Sequence, residues 1–192
     1  MLIRSSFLAV AFLALAGCGQ APTPKTTDDA NASSSVVIPT SFFTTTRATD
    51  VPNLIDAKKV AKVGETTTFL ARVGGRVPSF IDGYAIMVVA DPGLVSCELM
   101  GEKDHCPTPE DYCCEDPSAI RTGLATIMFN DATGTPLPIS ASGQGGLELL
   151  KYVVVEGTVT DMNDEGVFIV DATSVWVGGK PDRSDLHKGS GG

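Results

Sequence analysis

The chain has two histidines, one tryptophan and 6% aromatic residues in 192 positions, and 14 Lys+Arg against 23 Asp+Glu. So few histidines, His105 and His187, leave little material for His-rich metal centres or Ser-His-Asp triads. A formal net charge of −9 denies the chain the broad basic surface that nucleic acid or anionic lipid requires. No C-x-x-C pair, G-x-S-x-G elbow, H-E-x-x-H pair or phosphate-cradling P-loop occurs. Gly143-Gln144-Gly145-Gly146 is glycine-rich, but no Lys-Ser/Thr and no long helix follow it, so it reads as a connection. These absences remove the recognisable enzyme machinery, and a non-enzymatic role with no cofactor is the expectation. Apolar runs long enough to cross a bilayer are missing too.

What the N-terminus does have is an export pattern. Arg4 supplies a positive start, and Phe7 to Leu15 is a short apolar core. The segment closes on Leu15-Ala16-Gly17-Cys18, which resembles the lipobox of bacterial lipoproteins. The resemblance implies a signal peptide over 1–17 and lipidation of the Cys18 thiol. Several acyl chains then anchor the chain to a membrane where one would not. Gly19, standing where an Asp retains some lipoproteins at the inner membrane, points to the outer membrane. Losing Arg4 with the signal leaves the mature chain more acidic still.

Residues 18–50 are rich in Thr, Ser, Ala and Pro and read as the lipidated cysteine followed by a flexible tether. Some 30 residues of coil reach on the order of 30 Å. Val36-Val37-Ile38 and Phe42-Phe43 are too apolar for a pure linker and are expected to dock on the domain. The far end, 179–192, has the composition of a disordered tail.

Between them, over 51–178, the pattern is β. Thr66 to Val77 alternates, with Phe69, Ala71, Val73 and Val77 on one face and Thr68, Leu70, Arg72 and Arg76 on the other. Gly74-Gly75 marks a bulge or sharp bend. Further strands are expected over Tyr84–Ala90, Leu124–Phe129, Thr135–Ser140, Tyr152–Thr160, Val167–Val170 and Thr173–Val177, with one helical turn over Leu147–Lys151. Many short strands and almost no helix pattern predict an all-β fold, a small five- to six-stranded barrel with a long Cys-rich insertion. The entries Val63-Gly64-Glu65 and Val155-Glu156-Gly157-Thr158-Val159 resemble those of OB-fold strands. That resemblance includes small envelope domains such as the haem chaperone of cytochrome c maturation. Haem is not carried across, because His187 lies in a polar tail without the surrounding motif.

The distinctive chemistry is the acidic loop 91–121. Asp91-Pro92-Gly93-Leu94, Cys97 and Cys106-Pro107-Thr108-Pro109-Glu110-Asp111-Tyr112-Cys113-Cys114 resemble a segment of uncharacterised bacterial envelope lipoproteins, D-P-x-L…C…C-P-T-P-x-D-Y-C-C. Glu110 stands where Trp is frequent in that segment. An even number of cysteines in an exported chain reads first as two disulfides. Of three pairings, the one joining Cys113 to Cys114 is the most strained. Cys97 and Cys106 are therefore each expected to take one member of the doublet, with pairing otherwise open and about 2–4 kcal/mol gained per bridge. The competing reading is a metal site drawn from Cys97, Cys106, Cys113 and His105, soft ligands for Zn²⁺ or Cu⁺. A redox role lacks its C-x-x-C. Over 97–116, Glu98, Glu102, Asp104, Glu110, Asp111, Glu115 and Asp116 face Lys103 alone, so the loop holds most of the acidic excess. A solvated face, cation binding and docking to a basic envelope partner all fit that charge; no D-x-D-x-D-G loop for Ca²⁺ occurs. A nucleic-acid-binding barrel would use Arg72, Arg76, Tyr84 and Tyr152 as cations and stacking platforms. Against it stand the net charge and an envelope address. Oligomeric state is not encoded in any pattern found.

Overall fold

A computed structural model describes residues 36–100 and 106–181. The signal segment, Cys18, most of the tether, His105 and the tail with His187 lie outside the described residues. Six strands form one sheet: β1 (Phe43–Thr44), β2 (Thr66–Val73), β3 (Ile86–Ala90), β4 (Leu124–Met128), β5 (Tyr152–Met162) and β6 (Phe168–Val177). The order is β1-β6-β4-β3-β2-β5, and an additional β6–β5 pairing closes strands β2 to β6 into a five-stranded barrel. Within the ring only β4 and β6 run parallel; the other neighbours are antiparallel. That mixed, closed order is the strand topology of an OB-like barrel, as expected from the alternation.

The alternation explains the core. Phe69, Ala71 and Val73 of β2, Met87 and Val89 of β3, and Val153, Val155 and Val159 of β5 are buried together with Phe168 and Val170 of β6. β-Branched residues on β5 suit a pleated surface packed on one side. Phe69 and Phe168 meet edge-on, with ring centroids 6.2 Å apart. The interior is thus filled by side chains.

Several boundaries differ from the sequence reading, each for a local reason. The domain starts before residue 51: Ile38 is buried, Phe42 and Phe43 pack on the core, and Phe43–Thr44 pairs in parallel with Val175–Trp176. Of the apolar tether residues, Ile38, Phe42 and Phe43 dock and bring a strand with them, whereas Val36 and Val37 stay exposed. β2 stops at Val73, so Val77 is exposed and not a core residue. β6 runs unbroken where two strands were expected, because a register shift opposite Glu156/Gly157 absorbs the irregularity. Thr135–Ser140 makes only an isolated bridge, Asn130 to Pro136, and Leu147–Lys151 is a turn.

Two short helices interrupt the strands. α1 (Leu54–Val60) buries Leu54 and Ala57, one turn apart, against the barrel. α2 (Pro117–Thr122) carries a legible start signal: Asp116 accepts hydrogen bonds from the Ser118 and Ala119 amides, with Pro117 at the first helical position.

Candidate functional site

The insertion between β3 and β4 lies over the outer surface of β2, and Arg72 is where the two meet. Strand alternation sends Arg72 away from the barrel core, as the sequence predicts. It is nevertheless only 1% exposed. The exposed binding role drawn for it is therefore corrected. The insertion covers the side chain, and alternation alone cannot show that cover.

The guanidinium has unusual company. Nη2 donates to the Leu94 carbonyl and Nη1 to Ser96 Oγ at 3.5 Å. Its carbon lies 5.3 Å from the Tyr112 ring centroid and 5.9 Å from that of Tyr152. Arg72 Nε and the Tyr112 hydroxyl are buried without a hydrogen-bond partner. Among the described residues, no carboxylate lies within ion-pair distance of Arg72. Burying a cation without an anion is costly, so this arrangement asks for a nearby negative charge.

Around Arg72 the insertion shares a small second apolar core with its neighbours. Ala90, Leu94, Tyr112 and Leu150 are buried together, with Ile120 and Leu124 packed alongside. Burial pushes the Tyr112 hydroxyl up to about 12, despite the opposing pull of Arg72.

The two arms of the insertion are tied to one another and to β2. Val95 N–H donates to the Glu115 carboxylate, linking the arms. Gly75 N–H donates to the Glu110 carbonyl at 2.7 Å, tying the second arm to the bend after β2. The bend itself needs glycine. A Cβ on Gly74 would come within 3.0 Å of the Tyr112 ring and 3.1 Å of the Glu110 oxygen, at a φ of 148°. The Gly74-Gly75 signal therefore marks the seat of the cysteine loop. Tyr112 takes a left-handed conformation, φ 55° and ψ 28°, and turns the chain back just before Cys113.

That turn gathers the thiols. Cys97 Sγ lies 3.7 Å from Cys113 Sγ and 3.7 Å from Cys114 Sγ. The three sulfurs all fall within 4.8 Å of one another, Cys97 buried and the doublet exposed. Cys106 neighbours Cys97 and Cys113 but is not one of the three, and its thiol lies 4.0 Å from Thr108 Oγ1. The two disulfides expected from cysteine count are not formed among the described residues, because these separations far exceed a bond of about 2.05 Å. Burial pushes the Cys97 thiol up, whereas a hydrogen bond from the Thr108 backbone holds Cys106 down.

The remaining predicted residues scatter. Arg76 is exposed and lines a shallow surface depression with Arg121, Leu124 and Phe168. Tyr84 is 53% exposed. Tyr152 is half-buried beside Arg72. The four-residue stacking interface thus loses its central cation. Glu156 forms no ion pair among the described residues. Trp176 is half-buried on β6, with the Arg47 guanidinium carbon 5.4 Å from its ring centroid. What sequence reasoning missed is the combination of Tyr112, Ser96 and Leu94 as the receptor for Arg72. The Gly-Gly bend was the available signal. Comparison with protein-family models, with curated proteins and with solved structures yields no match.

Proposed function

We propose that this chain is a lipid-anchored, non-enzymatic binding module of the bacterial cell envelope, held at the outer membrane through Cys18. On this reading the barrel is a rigid scaffold and the insertion over 91–121 is the part that meets a ligand or envelope partner. One observation carries the assignment of the binding part. The barrel interior is filled with apolar side chains, whereas the insertion assembles clustered thiols, a buried cation without a direct ion pair among the described residues and partnerless polar atoms on one outer surface. Buried polar groups without partners are rare in folded proteins and call for an explanation. A binding loop on a rigid scaffold supplies one.

Metabolic labelling with palmitate tests the anchor. The full chain is expected to carry label and to sediment with membranes, and Cys18→Ser to do neither. An unlabelled wild-type chain in the soluble fraction would overturn the proposal.

A further inference from the structure

We infer that Cys97, Cys106, Cys113 and Cys114 form a tetrathiolate site for one Zn²⁺ ion, with Arg72 as its positioning residue and counter-charge. The inference deepens the reading of the insertion as the ligand-bearing part and rests on it. Geometry comes first. Zinc binds four thiolates tetrahedrally at about 2.3 Å, which sets the sulfur–sulfur edge at about 3.8 Å. Cys97 Sγ stands 3.7 Å from both Cys113 Sγ and Cys114 Sγ. Edge length, not bond length, is the spacing that the fold imposes. The fourth thiol, Cys106, neighbours Cys97 and Cys113 but stands outside the three-sulfur group, so binding the ion would draw it in as the last donor. Three sulfurs alone would also suit Cu⁺; the fourth favours zinc.

Charge is the second, independent observation. Zinc with four thiolates carries a net charge of −2. Arg72 is a buried cation, 1% exposed, with no carboxylate partner among the described residues. It hydrogen-bonds Ser96, the residue before Cys97, and stacks on Tyr112, the residue before Cys113. One guanidinium thus orients both arms that deliver sulfur. Assembly needs no oxidant: each thiol releases a proton to solvent, the four sulfur lone pairs replace water on the ion, and no electrons move. With all four positions filled by sulfur the site is closed, so it holds the metal and organises the loop rather than activating water. The exposed doublet lets the ion enter without opening the barrel.

The test uses the full lipidated chain, extracted in mild detergent without reductant or chelator. Elemental analysis is expected to give one zinc per chain. Ellman titration is expected to find the four thiols protected and to release all four after chelation. Cys114→Ser, at an exposed position, is expected to lower zinc affinity by about tenfold or more. Arg72→Met is expected to lower it about 10- to 100-fold, as losing an outer-shell partner does. Arg72→Lys, keeping the charge, is expected to recover part of that loss, which a merely structural role would not produce. An intact mass short by four hydrogens with no zinc would overturn the site in favour of two disulfides. So would three protected thiols on copper. Palmitate labelling of the same preparation separates the failures: a labelled chain without zinc sinks the metal site alone, and an unlabelled chain with zinc sinks the anchor alone.

Discussion

Gly157→Ala should unfold the barrel earlier, and the structure fixes roughly how much. Gly157 sits on β5 where its pairing with β6 shifts register: Glu156 faces Ser174, but Gly157 faces Ala172. The skipped residue, Thr173, returns its hydroxyl to the Glu156 carbonyl at 3.1 Å. This bulge brings β6 against the Gly157 Cα. A Cβ there would meet Val170 Cγ1 at 2.7 Å and Ala172 Cα at 2.9 Å, with the Asp171 carbonyl oxygen nearer still. Two of these obstacles are backbone, so no rotamer change relieves them. Overpacking of this kind costs about 1–3 kcal/mol. Replacing glycine in a strand returns only about 0.5–1 kcal/mol.

The net loss should therefore be about 1–2 kcal/mol, placing the steric term above the entropic one. For a domain of this size that corresponds to a fall in Tm of roughly 2–8 °C. Thermal unfolding followed by circular dichroism measures it, and a urea midpoint that falls at constant m confirms that stability, not the unfolded state, has changed. Gly179→Ala is the matched control, since nothing lies within 4 Å of its built Cβ. It should stay within about 0.5 kcal/mol of wild type. A Gly157→Ala chain melting at or above the wild-type temperature would refute the bulge argument.

Other outcomes follow from the same reasoning. Phe69→Ala, at a fully buried ring against Phe168, should cost about 3–5 kcal/mol in urea unfolding. Gly74→Ala should loosen the seat of the insertion, exposing 91–121 to limited proteolysis while the barrel's melting changes less, because the added Cβ meets Tyr112 and Glu110 rather than the barrel core. Asp131 accepts hydrogen bonds from Thr133 Oγ1 and from the Thr133 and Thr135 amides, which holds its carboxyl below the usual 3.8. A depressed folded-state pKa contributes stability that is present above 3.8 and lost as the pH falls through the lower folded value. Asp131→Ala should therefore melt below wild type at neutral pH, and the gap should close on acidification; a gap independent of pH would contradict this.

The sequence announced the barrel because its information is local. Alternation at Phe69-Ala71-Val73 and at Val153-Val155 is a property of a single strand, and it survives in the buried set. The Val-Glu-Gly-Thr-Val entry was legible for the same reason, and the bulge shows why glycine stands in it. The helices were less legible. α1 has only Leu54 and Ala57 to show an apolar face, and seven residues cannot establish a period. α2 did carry its Asp-Pro start, which a search for strands passes over. The site was half legible. Cysteine spacing marked the loop and the double glycine marked a bend, but neither says that the loop folds back on that bend. That packing is a long-range fact, made of Gly75 to Glu110 and Arg72 to Leu94, and no window of sequence contains it.

The burial of Arg72 also recasts the chain's acidity. On a surface charge count, Arg72 is one of 14 bases offsetting 23 acids. Beneath the insertion it offsets none of them through a direct ion pair among the described residues. The exposed acids Glu98 and Asp116 are solvated, where neutralisation contributes little. The guanidinium is buried, Asp91 is a buried carboxylate in the same surroundings that makes no direct ion pair with it, and a charge there is expensive to desolvate. Two hydrogen bonds and two aromatic faces offset part of that cost. A purely structural role would be served as well by methionine or leucine, which fill the same space without desolvating a cation. Arg72→Met in the metal-free chain should therefore leave urea stability unchanged or raise it, even as it weakens the thiolate site. A loss of several kcal/mol in that metal-free comparison would mean that the guanidinium serves the fold itself, and the charge argument for the site would fall.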